Sequence, residues 1–357
     1  MNTLVPRPGI LEISPYVGGE SKLASGRRAI RLAANENPFG PSPKAIEAYS
    51  ALAKELHRYP EGGCLAVRRS IARLHGLDME RIVCGAGSDE LIALLMRAYC
   101  GPDHEMIYSQ HGFLMYPISA HAVGAVPVAA PERNMRSDVD ALLDQVTDQT
   151  KAVFLANPNN PTGSYIAVSD LFRLRRRLRE DILLVIDAAY AEYVTTNDYE
   201  PGVKLVDMFP NVVMTRTFSK IYGLAALRLG WAYCPQPIAD VLNRIRGPFN
   251  VSAPAQVAAV AALEDQEYVR AARVHNSRCM AWFLQQAAEV GVANKGGAGN
   301  FALMQFDDAA EASEFLKQQG ILVRRMDAYG LPHHLRVTIG TEAEMRELLE
   351  ALRAYMS

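Results

Sequence analysis

Between residues 81 and 233 short β-branched and apolar runs alternate with stretches of helical periodicity, and this alternation constrains the fold more than any other feature. A run such as 182–186, Ile-Leu-Leu-Val-Ile, has no polar face, so it must be buried on both sides, as in a parallel sheet covered by helices. Strands are expected at residues 81–84, 106–108, 152–156, 182–186, 212–215 and 228–233. A helix is expected over Ser88–Tyr99, where Leu91, Ile92, Leu95 and Met96 share one face. The fold class is therefore α/β with a largely parallel sheet. Residues 253–288 form a long alanine-rich helical stretch, and Gly296, Gly297 and Gly299 precede a further strand at 301–306.

A chain of 357 residues exceeds the usual size of one domain, so a large domain (36–253) and a smaller one (1–35 with 254–357) are expected, with the change near Pro254. Its formal net charge is −2, which gives no basic excess for nucleic acid. The five cysteines are scattered and free of CxxC spacing, so neither a disulfide framework nor a zinc site is expected and a reducing cytoplasm fits. No secretion signal or membrane span is expected, because no apolar run approaches about 18 residues. Arg173, Arg175, Arg176, Arg177 and Arg179 lie in one predicted helix, where Leu171, Leu174 and Leu178 would face the core and the arginines solvent.

Three clusters carry chemistry. Thr217-Phe218-Ser219-Lys220 follows an apolar strand, with Arg228 eight residues further on. A lysine desolvated near another cation has a lowered pKa and becomes a nucleophile toward an aldehyde. The hydroxyls of Thr217 and Ser219, with the Arg228 guanidinium, can hold a phosphate. In the second cluster Asp187 ends an apolar strand three residues before Tyr190. Carboxylates at that end of a central strand are where α/β enzymes place ligand groups, although an aspartate there can equally cap a helix. The third is Asn157-Pro158-Asn159-Asn160-Pro161-Thr162-Gly163, by itself a turn.

Taken together and in this order, the three clusters resemble the aspartate-aminotransferase-like pyridoxal-phosphate enzymes over most of the chain. The N-terminal run from Leu32 to Pro43 is similar to the signature of the histidinol-phosphate aminotransferases. Ser14-Pro15-Tyr16, Arg58-Tyr59-Pro60, Gly87-Ser88-Asp89-Glu90 and the closing run from Leu335 to Thr341 fit the same family. The resemblance implies a large domain with a mostly parallel seven-stranded sheet flanked by helices, plus a smaller α+β domain. It also implies pyridoxal 5′-phosphate as cofactor and a homodimer with shared active sites.

Carried over residue by residue, the resemblance makes Lys220 the lysine that holds the cofactor and moves the substrate proton. Asp187 pairs with the ring nitrogen, while Asn160 and Tyr190 bond the ring oxygen. Ser88 and Asp89 open a helix that suits the cofactor phosphate, with Thr217, Ser219, Arg228 and the partner subunit's Tyr59 completing that cup. Phe113 stands where the family commonly has a tyrosine, so stacking on the ring needs only its π-face. Tyr16, Asn35, Arg324 and Arg336 are the implied substrate residues. The two arginines would take carboxylate and phosphate by turns, with glutamate, 2-oxoglutarate and histidinol phosphate as substrates. Related enzymes act on phenylalanine and tyrosine, which makes aromatic transamination the alternative. His111, His333 and His334 invite a general-base reading that Lys220 makes unnecessary.

Overall fold

The computed structural model describes residues 4–23 and 28–357. Its main sheet has seven strands: β1 (Ile82–Gly85), β2 (Glu105–Ser109), β3 (Val126–Ala130), β4 (Thr150–Ala156), β5 (Leu183–Asp187), β6 (Val212–Thr217) and β7 (Gly230–Tyr233). They lie in the order β1-β7-β6-β5-β4-β2-β3, and β7 alone runs antiparallel to its neighbours. Alternate side chains of each strand enter two different cores. Leu184, Ile186, Val212 and Met214 pack on one face, whereas Leu183, Val185 and Val213 pack on the other. Burial on both faces is why these strands read as unbroken apolar runs.

A second sheet of four strands, β8 (Ala293–Lys295), β9 (Phe301–Gln305), β10 (Arg324–Arg325) and β11 (His334–Thr338), carries its own core, where Phe283, Met304, Val337 and Leu348 are buried. Residues Ile30–Arg31 pair in parallel with Ile321–Leu322, which ties the segment before the large sheet to this second core. Ala255, Ala259, Ala262 and Ala272 still pack in the core of the large sheet, and Cys279 and Met280 are the first in that stretch to join the second. Among the described residues no helix is long and apolar enough to cross a membrane.

Several local expectations need correction. The stretch 253–288 is two helices, Ala253–Glu264 and Gln266–Glu289, because Asp265 leaves helical geometry and its carboxylate accepts from the Tyr268 amide to cap the second. The strand β3 was not expected; it is short, contains Pro127 and lies at the sheet edge, where a missing N–H is tolerated. Arg228 is not in a strand: its φ of 53° is left-handed, pairing starts at Gly230, and the guanidinium turns back toward Ser219 and Asp89. The arginine-rich helix (Val168–Arg177) buries Leu171 and Leu174 as expected, but Arg175 is buried as well. It donates to the Leu178 carbonyl and lies 5.2 Å from the Phe209 ring centre.

Candidate active site

Strand β7 sits between β1 and β6, so the ends of three strands meet at one point. Gly230 pairs with both Gly85 and Thr217. A Cβ on Gly230 would overlap the Ser88 amide and the Gly87 carbonyl carbon, so only glycine lets the strand approach the start of helix α1 (Ser88–Tyr99) this closely. Gly87 is restricted twice over: its φ is 84°, and a Cβ there would strike the Arg228 guanidinium.

At this junction the free amides of the first turn of α1 face a cluster of donors. Thr217 donates to Ser219 Oγ at 3.0 Å, and the Ser219 amide donates back to Thr217 Oγ1 at 3.1 Å. Arg228 reaches Ser219 Oγ at 3.4 Å and Asp89 Oδ2 at 3.1 Å. A guanidinium, two hydroxyls and a helix N-terminus make a cup suited to an anion.

Next to the cup, Asp187 ends β5 only 5% exposed. Its two oxygens accept from hydroxyls, Tyr116 at 2.9 Å and Thr215 at 3.1 Å. Burial pushes the carboxyl up to about 6 against these donors, which favour the charged form. Lys220 Nζ donates to the Ala34 carbonyl at 3.3 Å and lies 5.7 Å from the Tyr190 ring centre. Burial first, and then the positive charge of Arg336, bring its amine down to about 8, so a fraction is free base near neutral pH. Tyr190 accepts from Asn35 Nδ2 at 2.8 Å, which leaves its own proton free to donate. Asn160 accepts through Oδ1 from Arg336, leaving its amide N–H groups free.

These groups line one cavity of about 330 Å³. Every candidate residue except Tyr59 contributes to it: the residues of the anion cup, Asp187, Tyr190, Lys220, Asn160 and Phe113, together with Tyr16, Asn35, Arg324 and Arg336. Arg324 lies 5.8 Å from the Tyr16 ring centre, and Tyr16 meets the edge of Phe113 at 6.5 Å between centroids. Tyr59 lies outside the cavity of its own chain, 83% exposed and stacked on Phe249 at 4.8 Å. His111 Nδ1 is engaged by the Tyr329 carbonyl at 2.7 Å, a structural contact. Gly297 lies in a loop against Gly163, whose carbonyl accepts from the Ala298 amide at 2.8 Å.

Tyr116 and Thr215 were not anticipated. The signal for Thr215 was present, since it shares a strand face with Thr217 two residues on, beside the end of β5. For Tyr116 the only signal was its place one helical turn after Phe113.

The model of the aminotransferase class I and II family matches residues 27–352, and the chain belongs to that family. Within it, the histidinol-phosphate aminotransferase of Rhodospirillum centenum is 54% identical over 99% of this chain and 98% of its own length. That of Paracoccus denitrificans is 51% identical over 99% and 97%. The crystal structure of histidinol-phosphate aminotransferase from Sinorhizobium meliloti in complex with pyridoxal-5′-phosphate superposes with a TM-score of 0.89 at 29% identity, covering 97% of this chain and 96% of that one. An aspartate aminotransferase from Thermus thermophilus with maleate, 23% identical over 92% of each chain, shares the fold with a TM-score of 0.81.

Proposed function

We propose that this chain is a pyridoxal-phosphate-dependent aminotransferase that moves an amino group between histidinol phosphate and 2-oxoglutarate. Full-length identity above one half to a histidinol-phosphate aminotransferase carries the reading. The donor set fits the cofactor: a buried carboxylate whose side-chain partners are neutral hydroxyls faces the cavity, beside an anion cup and a desolvated lysine. When bound, pyridoxal 5′-phosphate supplies a protonated ring that takes up the electrons left when a substrate loses its α-proton.

The chain's own residues divide the remaining work. Lys220 would hold the cofactor through its amine and, once released, carry the proton. Asp187 would keep a proton on the ring nitrogen, while Asn160 and Tyr190 would donate to the ring oxygen and Phe113 would cover the ring face. Ser88, Asp89, Thr217, Ser219 and Arg228 would form the phosphate cup. Asn35 would position the substrate through its contact with Tyr190. Arg336 would read a carboxylate, and Arg324 with Tyr16 would read the phosphate of histidinol phosphate.

Steady-state rates with histidinol phosphate, phenylalanine and tyrosine, each with 2-oxoglutarate, test this choice. Histidinol phosphate should be preferred, and a preference for phenylalanine or tyrosine would make the chain an aromatic aminotransferase. Removing one charged partner typically costs about 2–5 kcal/mol, so Arg324→Ala should lower kcat/KM for histidinol phosphate on the order of 30-fold or more. Phenylalanine, with Arg336 intact, should lose less. Equal losses would remove Arg324 as a phosphate reader.

The reading includes a cytoplasmic homodimer in which the partner's Tyr59 enters the phosphate cup. Leu56, Tyr59 and Phe249 are exposed around a shallow groove also lined by Pro60, Pro248 and Pro254, an apolar patch of the kind that association covers. Mixed dimers of Lys220→Ala and Tyr59→Ala should regain activity, because one site then has both residues. No recovery above the separate variants, or an active monomer in sedimentation, would refute the shared site.

A further inference from the structure

We propose that Tyr116 is a positioning residue for the reaction, whose hydroxyl keeps Asp187 ionised and so biases the proton between that carboxylate and the cofactor's ring nitrogen toward the nitrogen. The inference rests on the proposed function and extends it to a side chain that never touches the substrate.

The local fold delivers this hydroxyl with little freedom. After β2 the chain turns tightly, the Gly112 amide donating to the Ser109 carbonyl at 2.6 Å, and a Cβ at Gly112 would press on that carbonyl. The turn launches helix α2 (Met115–Val123) with Phe113 toward the cavity and Tyr116 toward the end of β5. Tyr116 is 1% exposed, perpendicular to Phe113 at 5.9 Å between centroids and 5.3 Å from Phe154. Packed on these rings, the phenol has one polar partner, Asp187 Oδ2.

The charges around Asp187 show why such a donor matters. Asp89 on α1 disfavours the anion, and Tyr190, itself buried and neutral, adds no positive charge. Tyr116 and Thr215 oppose the burial that drives the carboxyl toward its neutral form. The phenol of Tyr116 does not titrate near neutral pH, since burial and the neighbouring Asp187 charge hold its pKa well above the ordinary value. It therefore donates at every working pH without changing charge, whereas an imidazole at the same place would become a cation as pH falls.

Tyr116→Phe removes the donor and leaves the ring. In the cofactor-free protein, the Asp187 carboxyl, followed by carbon NMR of labelled aspartate, should then titrate above about 7 instead of near 6. In the loaded protein, nitrogen NMR of ring-labelled cofactor should show proton density moving off the ring nitrogen. Loss of one such bond should lower kcat about tenfold with KM little changed. Replacing Tyr116 with 3-fluorotyrosine, a stronger donor, should move the Asp187 titration down, and this arm remains readable if the phenylalanine variant folds poorly. An Asp187 titration that stays put in both variants, in an enzyme that still transaminates histidinol phosphate, would overturn the role of Tyr116. A titration that moves as predicted in a protein without aminotransferase activity would support the hydrogen bond's effect on Asp187 and overturn the proposed function instead.

Discussion

Lys220→Ala is expected to lower turnover on the order of 10⁴-fold, since under the proposed function both the covalent attachment and the proton transfer would fall to this amine. Among the described residues no second lysine lines the cavity, so no neighbour stands ready to replace it. Cofactor affinity should survive in part, because the anion cup and Asp187 are untouched by the substitution. Absorbance titration with pyridoxal 5′-phosphate and steady-state rates separate the two effects. A variant that transaminated at the parental rate would remove Lys220 from the chemistry.

Asp187→Asn should have opposite effects on activity and on the stability of the cofactor-free protein. Without an anion beside the ring nitrogen, turnover should fall roughly 10²–10³-fold, the consequence of removing one partner from a buried charged pair. The free protein, by contrast, no longer has to bury a charge. In the parent the carboxyl is raised from 3.8 to about 6, so between those values the folded state binds more protons than the unfolded chain. Stability of the parent therefore falls as pH rises through that interval, and above about 6 the full penalty, up to about 3 kcal/mol, is present. The variant should melt higher than the parent at pH 8, with the gap closing as pH falls from 6 toward 4. A variant that melts lower at pH 8, or a gap independent of pH, would contradict the buried-charge account.

The large sheet and part of the candidate site were legible in the sequence for one physical reason. In a parallel sheet buried on both faces the strands are continuous apolar runs, so the first polar residue after each run marks a strand end, and strand ends are where the site lies. Asp187 became a candidate in that way, whereas Thr217 was singled out by its place beside Lys220 and Ser88 by the family resemblance. What escaped depends on contacts between residues far apart in sequence. Tyr116 meets Asp187 across 71 positions, and its place one turn after Phe113 does not announce that partner. The break at Asp265 escaped because a capping carboxylate hides easily among helix formers on both sides. Arg228 was recognised by its type but misplaced in conformation, since a left-handed arginine has no sequence signature. Gly230 looked ordinary until the structure set its α-carbon against the Ser88 amide.

The most direct test is to load the protein with pyridoxal 5′-phosphate, reduce it with borohydride and map the modified peptide by mass spectrometry. The predicted result is stoichiometric attachment at Lys220 alone, prevented by prior addition of glutamate. Attachment to another lysine, or none at all, would contradict the account.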